Sequence, residues 1–514
     1  MKKKLFSLLL VVALCSALFA AGAKEQAATA EGPLKITMYY SDNATLPFKS
    51  DWLTVKTIEE RFNVDLEFEV IPIADYQTKV SLALNTYNNA PDVILYQSIT
   101  GENQSLALNG AIVPISDYAE WTPNFNARVA EFGIQDAVDV LNLEDGKRYN
   151  LPGLFDVPFY DGGLILRKDL LEKYGLDVPK TFDDLYEVLK VFKQNNPSSY
   201  PLTILAGPRV LYRFTMPSFG ISLGKNSSSG SYVLSYDYEK KEYFAGAISD
   251  EYKAYITYLH KLYAEGLLDP EMADPIDGTK WSQKMATGAS MVTYAYYDQI
   301  GGVTAASKID GFELMMYPSL AGPGGAHNQP KSKTGAGIIF PAKTAERKDF
   351  EQVVRKIDEI FFSEEAAKIW CLGVEGVTYD IINGAVKFKD SLVNDERGIY
   401  KALQQEAGCG SDVTQMVWVN KREMTKYDET YAAINAEVEA MGDVIQLIPP
   451  KPKFNDLEAE EAGSLQTPLA DAWERWNDAF LTGAKSIEKD WDAYVREMKT
   501  LGIEKMLALY NDNL

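Results

Sequence analysis

Lys35-Ile36-Thr37-Met38-Tyr39-Tyr40, then Val64-Asp65-Leu66-Glu67-Phe68-Glu69-Val70, then Pro91-Asp92-Val93-Ile94-Leu95-Tyr96-Gln97: the reading of these runs decides the fold. The first is a strand that runs into the polar loop Ser41-Asp42-Asn43. In the second, Val64, Leu66, Phe68 and Val70 alternate strictly with charged residues, the pattern of a strand with one buried face. The third is a short apolar run that starts at a turn. Residues 51–62 and 74–86, between these runs, read as helices. Strand, helix, strand, helix, strand is the order of βαβ units, and such units build a parallel sheet.

A second block of the same kind follows. Gly162 to Leu166 reads as a strand, and Thr181-Phe182-Asp183-Asp184 as a capping box opening a helix with Phe182, Leu185, Leu189 and Phe192 on one face. Ala289 to Tyr294 and Gly337 to Phe340 read as further strands. The helix near 348–361 is amphipathic, with Phe350, Val353, Val354, Ile357, Ile360 and Phe361 on one face. After about residue 395 the chain is mainly helical and acidic, ending in helices near 468–482 and 488–509. No fixed-period repeat occurs. The pattern is that of two α/β lobes, with the chain passing between them more than once.

The chain has 514 residues, 51 Lys plus Arg against 73 Asp plus Glu, and a formal charge of −22. At about 100–200 residues per domain, this length makes two large units or three ordinary ones. Hydrophobic residues at 46% and charged residues at 24% belong to a packed chain rather than a disordered one. The acidic balance argues against nucleic acid as a partner, because Lys and Arg are what hold a polyanion. The histidines number 2, His260 and His327, which nearly excludes histidine-ligated metals and Ser–His or Cys–His triads. The DxDxDG calcium spacing occurs nowhere, and Gly322-Pro323-Gly324-Gly325 lacks the Lys-Ser/Thr of a phosphate-cradling loop. No cofactor and no metal is implied.

Lys2, Lys3 and Lys4 precede the uncharged apolar stretch Leu5 to Ala20 and the small residues Ala20-Ala21-Gly22-Ala23, the layout of a secretory signal cleaved after Ala23. About 16 apolar residues fall short of the roughly 20 that span a bilayer. The mature chain is therefore expected to be exported to the periplasm. Cys15 offers an alternative, a lipoprotein anchored through an acylated cysteine, although Leu14 stands where a lipobox usually has Gly or Ala. Cys371 and Cys409 fit either a disulfide or two buried thiols.

Several further elements recur in a familiar order. They are Pro91-Asp92-Val93-Ile94, Asn109-Gly110-Ala111-Ile112-Val113-Pro114-Ile115 and Gly146-Lys147-Arg148-Tyr149-Asn150-Leu151-Pro152. Leu164-Ile165-Leu166-Arg167-Lys168-Asp169-Leu170-Leu171 leads into Val178-Pro179-Lys180-Thr181-Phe182-Asp183-Asp184-Leu185. Lys284-Met285-Ala286-Thr287-Gly288-Ala289-Ser290-Met291 and Gly373-Val374-Glu375-Gly376-Val377-Thr378-Tyr379 complete the set. From about residue 35 to 380 this order resembles the extracellular solute-binding proteins of ABC importers, the maltose-binding type and its longer oligosaccharide-binding subgroup. The resemblance implies a periplasmic-binding-protein type II fold, α/β, with two discontinuous lobes joined by hinge crossings near 155–162, 325–337 and 373–380. After a signal peptide over 1–23, lobe 1 would comprise 33–157 plus 336–376, and lobe 2 would comprise 158–335 plus 377–514. It further implies a monomer without enzymatic activity. That monomer would hold a small polar solute, above all an oligosaccharide, between the lobes and deliver it to ABC permease subunits in the membrane.

An aromatic content of 12% suits a sugar, because one pyranose face is a patch of C–H bonds that stacks on a ring while hydroxyls line the rim. By position, the resemblance points to Asp42 and Asn43 after the first strand, and to Tyr96 and Gln97 at the end of the strand opened by Pro91. It points equally to Arg209 in a second-lobe loop, to Tyr296 and Tyr297 after the strand containing Met291, and to Trp370 and Glu375 beside the third crossing. Trp121 and Trp418 enter on position alone. Plainer readings stand beside these: turn formers at Asp42 and Asn43, a surface ion pair at Arg209, helix core at Trp370. Two other functions fit the residues as well, an exported glycosidase working through paired carboxylates and a binding protein that takes peptides or serves a sensor.

Overall fold

The computed structural model describes residues 32–514 except 43–46, 88, 101, 156–161, 206, 226, 228–229, 274–277, 298, 384, 394, 396–398, 410–417, 420–428 and 443. Its first part runs β1 (Leu34–Asp42), α1 (Leu53–Phe62), β2 (Val64–Pro72), α2 (Ile73–Thr86), β3 (Val93–Gln97), α3 (Glu102–Leu108), α4 (Pro123–Phe132) and β4 (Leu151–Phe155). β1 pairs in parallel with β2 from Leu34 opposite Val64 to Asp42 opposite Pro72, and in parallel with β3 at Met38 opposite Val93. The alternating residues and the two crossover helices thus form the parallel sheet that their order demands.

The chain then builds a second sheet with β5 (Gly162–Arg167), α5 (Phe182–Asn195), β6 (Leu202–Ile204), α6 (Pro208–Thr215), α7 (Asp250–Ala264), β7 (Val292–Tyr296) and β8 (Leu314–Tyr317). The strand order is β8-β5-β7-β6, with β5 antiparallel to both neighbours and β6 parallel to β7. The capping box forms at α5. Thr181 Oγ1 accepts from Asp184 N at 3.1 Å, and the Asp184 carboxylate accepts from Thr181 N at 2.9 Å. These bonds satisfy donors that a helix start leaves orphaned.

The chain returns through β9 (Asn328–Lys331) to β10 (Thr334–Ile339), which enters the first sheet between β4 and β3, antiparallel to both. α8 (Phe350–Phe362) and α9 (Glu364–Leu372) cover this sheet, burying Val353, Ile357 and Ile360 with Met38, Val93 and Ile338.

The third crossing comes later than the sequence suggests. The hairpin β11 (Tyr379–Ile382) and β12 (Ala385–Phe388) and helix α10 (Ile399–Ala407) stay with the first lobe, where Leu403, Ala407 and Cys409 pack against Leu53 and Phe388. β13 (Trp418–Val419) then joins the first sheet, Trp418 opposite Leu154, giving the order β13-β4-β10-β3-β1-β2. Among the described residues after β13, α11 (Glu429–Met441) is the next element, and its Ile434 is buried with Trp281 and Met285 of the second lobe. The elements β11, β12, α10 and β13, expected in lobe 2, therefore pack with lobe 1. Their apolar positions find a partner at the start of α1, more than 300 residues upstream, and no local pattern announces that contact.

β14 (Ile445–Leu447) runs parallel to β9, and α12 (Asp456–Thr482), α13 (Ile487–Thr500) and α14 (Ile503–Asp512) pack on the second core. The helix expected near 468–482 begins earlier, at a capping box made by Asn455 and Glu458. The helix expected over 488–509 is split at Gly502, whose φ of 98° is the left-handed conformation that ends helices.

A Cβ on Gly162, the first residue of β5, would stand 2.6 Å from Ala295 O and 2.6 Å from Phe214 Cζ. Gly162→Ala is expected to cost about 1–3 kcal/mol through overpacking. Thr181→Ala, which removes only a cap, should cost about 1 kcal/mol. Urea unfolding followed by tryptophan emission measures both as a lowered midpoint at constant slope.

Candidate functional site

Ligands of open α/β sheets gather at the carboxyl ends of the strands. In the first sheet, β1, β3 and β4 end in Asp42, Gln97 and Phe155; in the second, β6, β7 and β8 end in Ile204, Tyr296 and Tyr317. Residues 156–161 alone separate Phe155 from Gly162, and Gly162 lies opposite Tyr296 in the sheet. A chain of that length reaches at most about 25 Å, which keeps the carboxyl end of β4 near the edge of the second sheet where β7 ends. Hydrogen bonds sew the crossings together. Phe155 N donates to Lys333 O at 2.9 Å, and Asn328 N donates to Val444 O at 2.7 Å. Asn328, only 2% exposed, also donates from Nδ2 to Gly162 O at 2.9 Å and to Pro318 O at 3.0 Å.

On the first lobe, Asp42 is half-buried, and its Oδ1 accepts from Phe48 N at 2.8 Å. That bond closes the loop after β1 and seats Phe48 among Tyr40, Trp52 and Phe68. Asn43 lies outside the described residues. Tyr96 is half-buried against both cores of this lobe and has φ 57°, a left-handed conformation uncommon for a residue with a Cβ.

Gln97, expected to face a solute, is buried and already engaged. Its Oε1 accepts from Asn103 Nδ2 at 2.9 Å, and its Nε2 donates to Tyr96 O at 3.0 Å. Asn103 also donates to Ser98 O at 3.1 Å and accepts from Gln77 Nε2 at 3.2 Å. This amide chain supports the bend that carries Tyr96. Trp370 is a correction too. It is 1% exposed, its Nε1 donates to Ile360 O at 2.8 Å, and its ring stacks on Phe361 with centroids 6.2 Å apart. Glu375 is exposed in the turn before β11. Trp121 packs on Tyr118 and Phe350, and Trp418 contributes backbone to β13.

On the second lobe, Tyr296 is half-buried. Its hydroxyl accepts from Arg213 Nη1 at 2.6 Å, and its ring meets Phe214 edge-on at 5.7 Å. Tyr297 is half-buried beside the cluster containing Trp281, and Arg209 is exposed in the first turn of α6. Arg213 falls four residues after Arg209, so both lie on one face of α6. The structure thus places Arg209, Arg213, Phe214 and Tyr296 at the carboxyl edge of the second sheet, and Asp42 and Tyr96 at the carboxyl edge of the first. Arg213 was legible as the i+4 partner of Arg209; nothing local distinguished Asn328.

The model of the family described as bacterial extracellular solute-binding protein matches residues 54–350. The chain belongs to this family. It is similar to the lipoprotein LipO of Bacillus subtilis, 22% identical over 411 residues, which are 76% of this chain and 78% of LipO. It is also similar to the polygalacturonan/rhamnogalacturonan-binding protein YtcQ of the same organism, 21% identical over 478 residues, 89% of this chain and 87% of YtcQ. The fructooligosaccharide ABC transporter substrate-binding protein FusA of Streptococcus pneumoniae is 25% identical over 391 residues, 70% of this chain and 69% of FusA. The alginate-binding protein AlgQ2 shares the fold at a TM-score of 0.72 and 19% identity, covering 94% of this chain and 98% of AlgQ2. Family members are binding proteins of the cell exterior. Among the described residues no helix is long and apolar enough to cross a membrane, and no group of three His, Cys, Asp or Glu is placed to hold a metal ion.

Asn328→Leu deprives Gly162 O and Pro318 O of their donor and should cost about 1–3 kcal/mol. Hydrogen exchange followed by mass spectrometry should then show faster exchange over 328–334, with protection of β1 and β2 unchanged.

Proposed function

We propose that this extracellular solute-binding protein captures an oligosaccharide between the carboxyl edges of its two sheets and passes it, chemically unchanged, to an ABC permease. The Arg213–Tyr296–Phe214 group carries the reading. Tyr296 is held from behind by Phe214, and its hydroxyl accepts from Arg213, which leaves its O–H free to donate to a solute. The ring suits the C–H face of a pyranose, and Arg209 and Arg213 supply donors for the hydroxyl rim. Across the crossings, Tyr96 offers a second ring edge, while Asp42 keeps one carboxylate oxygen beyond its bond to Phe48 N. Tyr297 follows Tyr296 directly in the chain, and Asn43 and Glu375 remain candidates on sequence position alone. The sugar-binding names of FusA and YtcQ support the solute class.

A solute that touches both edges stabilises the closed arrangement in proportion to its greater affinity for that form. Water is expelled as the edges meet, which strengthens each polar contact. The protein acts as a monomer in the periplasm of an exporting cell, with membrane permease subunits as its partners and no cofactor.

Isothermal titration against an oligosaccharide panel is expected to find one binding site. Tyr296→Ala should weaken the best ligand by about 10- to 100-fold, corresponding to about 1–3 kcal/mol. Tyr296→Phe, which keeps the ring, should lose less. Chromatography after long incubation should recover the sugar intact. Hydrolysis products, or a flat response across the panel, would overturn the assignment.

A further inference from the structure

We propose that Arg148 forms the floor of a second site on the first lobe, one that takes a small oxyanion. It stands at the amino end of β4, the opposite edge of the sheet from the proposed cleft. Its side chain is only 6% exposed. The guanidinium donates to Asn150 O through Nη1 and sits 4.6 Å from the centre of the Phe125 ring. No carboxylate of the described residues lies within ion-pair distance of it. A buried cation with a single carbonyl acceptor and one ring is expensive to hold, and cations in such positions are normally paired. Burial accordingly lowers its pKa to about 10, and the charge of Asp139 opposes that shift only in part.

Arg148 lines a surface-open cavity of about 210 Å³ whose wall includes the exposed Asn126, Gln135, Asp139 and Asn142. That is far more room than the roughly 10–15 Å³ one water needs. Asp139 is not the missing partner. Its Oδ1 accepts from Gln135 Nε2 at 2.7 Å, within the one-turn helix Gln135–Asp139. The planar fork of a guanidinium presents paired donors matched to two oxygens of a sulfate, phosphate or carboxylate. A buried, unpaired fork facing a polar cavity is therefore an anion receptor, and one that works independently of the sugar site.

Isothermal titration of the full mature chain with sodium sulfate, sodium phosphate and sodium acetate, at ionic strength held constant with sodium chloride, tests this. One site per chain is expected, with a melting point raised by about 1–2 °C at ten times Kd. Arg148→Met should abolish the heat. Because that variant can also unfold the lobe, Ala119→Leu fills the cavity while keeping Arg148; it too should lose the anion and should keep its affinity for oligosaccharide. Asp139→Asn removes a like charge from the wall and should tighten binding about 3- to 10-fold. Preference for sulfate or phosphate assigns a free inorganic anion, and preference for acetate assigns a carboxylate-bearing molecule. Flat titrations of the parent protein, or undiminished binding in Ala119→Leu, overturn the proposal.

Discussion

Everything in this molecule that concerns a solute depends on the seam where the chain passes between its two sheets. Asn328 reaches from one crossing to Gly162 O at the start of β5 and to Pro318 O just beyond β8, while its own backbone N–H bonds to Val444 O. Phe155 and Lys333 add a backbone bond between the first and second crossings. These bonds leave the two cores separate and tie the crossings to the carboxyl edge of the second sheet. Few residues bear the connection, so a change of angle between the lobes need deform only those few. Each lobe meanwhile keeps a large close-packed interior of its own.

The second lobe holds its cleft helix from behind. α6 carries Arg209 and Arg213 on its outer side, and Tyr212 and Thr215 on its inner side enter a buried polar network. Asn477 of α12 donates to the Tyr212 hydroxyl at 2.7 Å and accepts from the Tyr252 hydroxyl at 3.0 Å, and Thr215 shares a hydrogen bond of 2.7 Å with Tyr255. The long C-terminal helices, which have no place at either carboxyl edge, thereby fix the register of the helix that does. A side chain meant to meet a solute is effective only when the shell behind it is rigid. Gln97 and Asn103 give the same support to Tyr96 on the first lobe.

Much of the architecture was legible because it rests on short-range physics. The alternation over Val64 to Val70, the capping box at Thr181 and the apolar stripe from Phe350 to Phe361 each state a local preference that the fold obeys. The candidate site was legible in part. Tyr296, Arg209, Asp42 and Tyr96 stand at strand or helix ends on the carboxyl edges of the two sheets. Gln97 and Trp370 did not follow, since position along the chain cannot tell whether a side chain at an edge turns outward or inward. For Gln97, a buried amide partner on α3 decided the matter; for Trp370, a carbonyl of α8 and the ring of Phe361 did.

The class of the fold and the early order of strands and helices, up to the helix near 348–361, could be read from the sequence, because hydrophobic period and capping act within a few residues. Tertiary structure decided that β11, β12, α10 and β13 stay with the first lobe, that Arg213 holds the Tyr296 hydroxyl and that Arg148 is buried with no carboxylate of the described residues within ion-pair distance. Each of those outcomes depends on groups far apart in the chain meeting in space, and the free energy of such meetings is set by the whole packed arrangement rather than by any neighbouring residues.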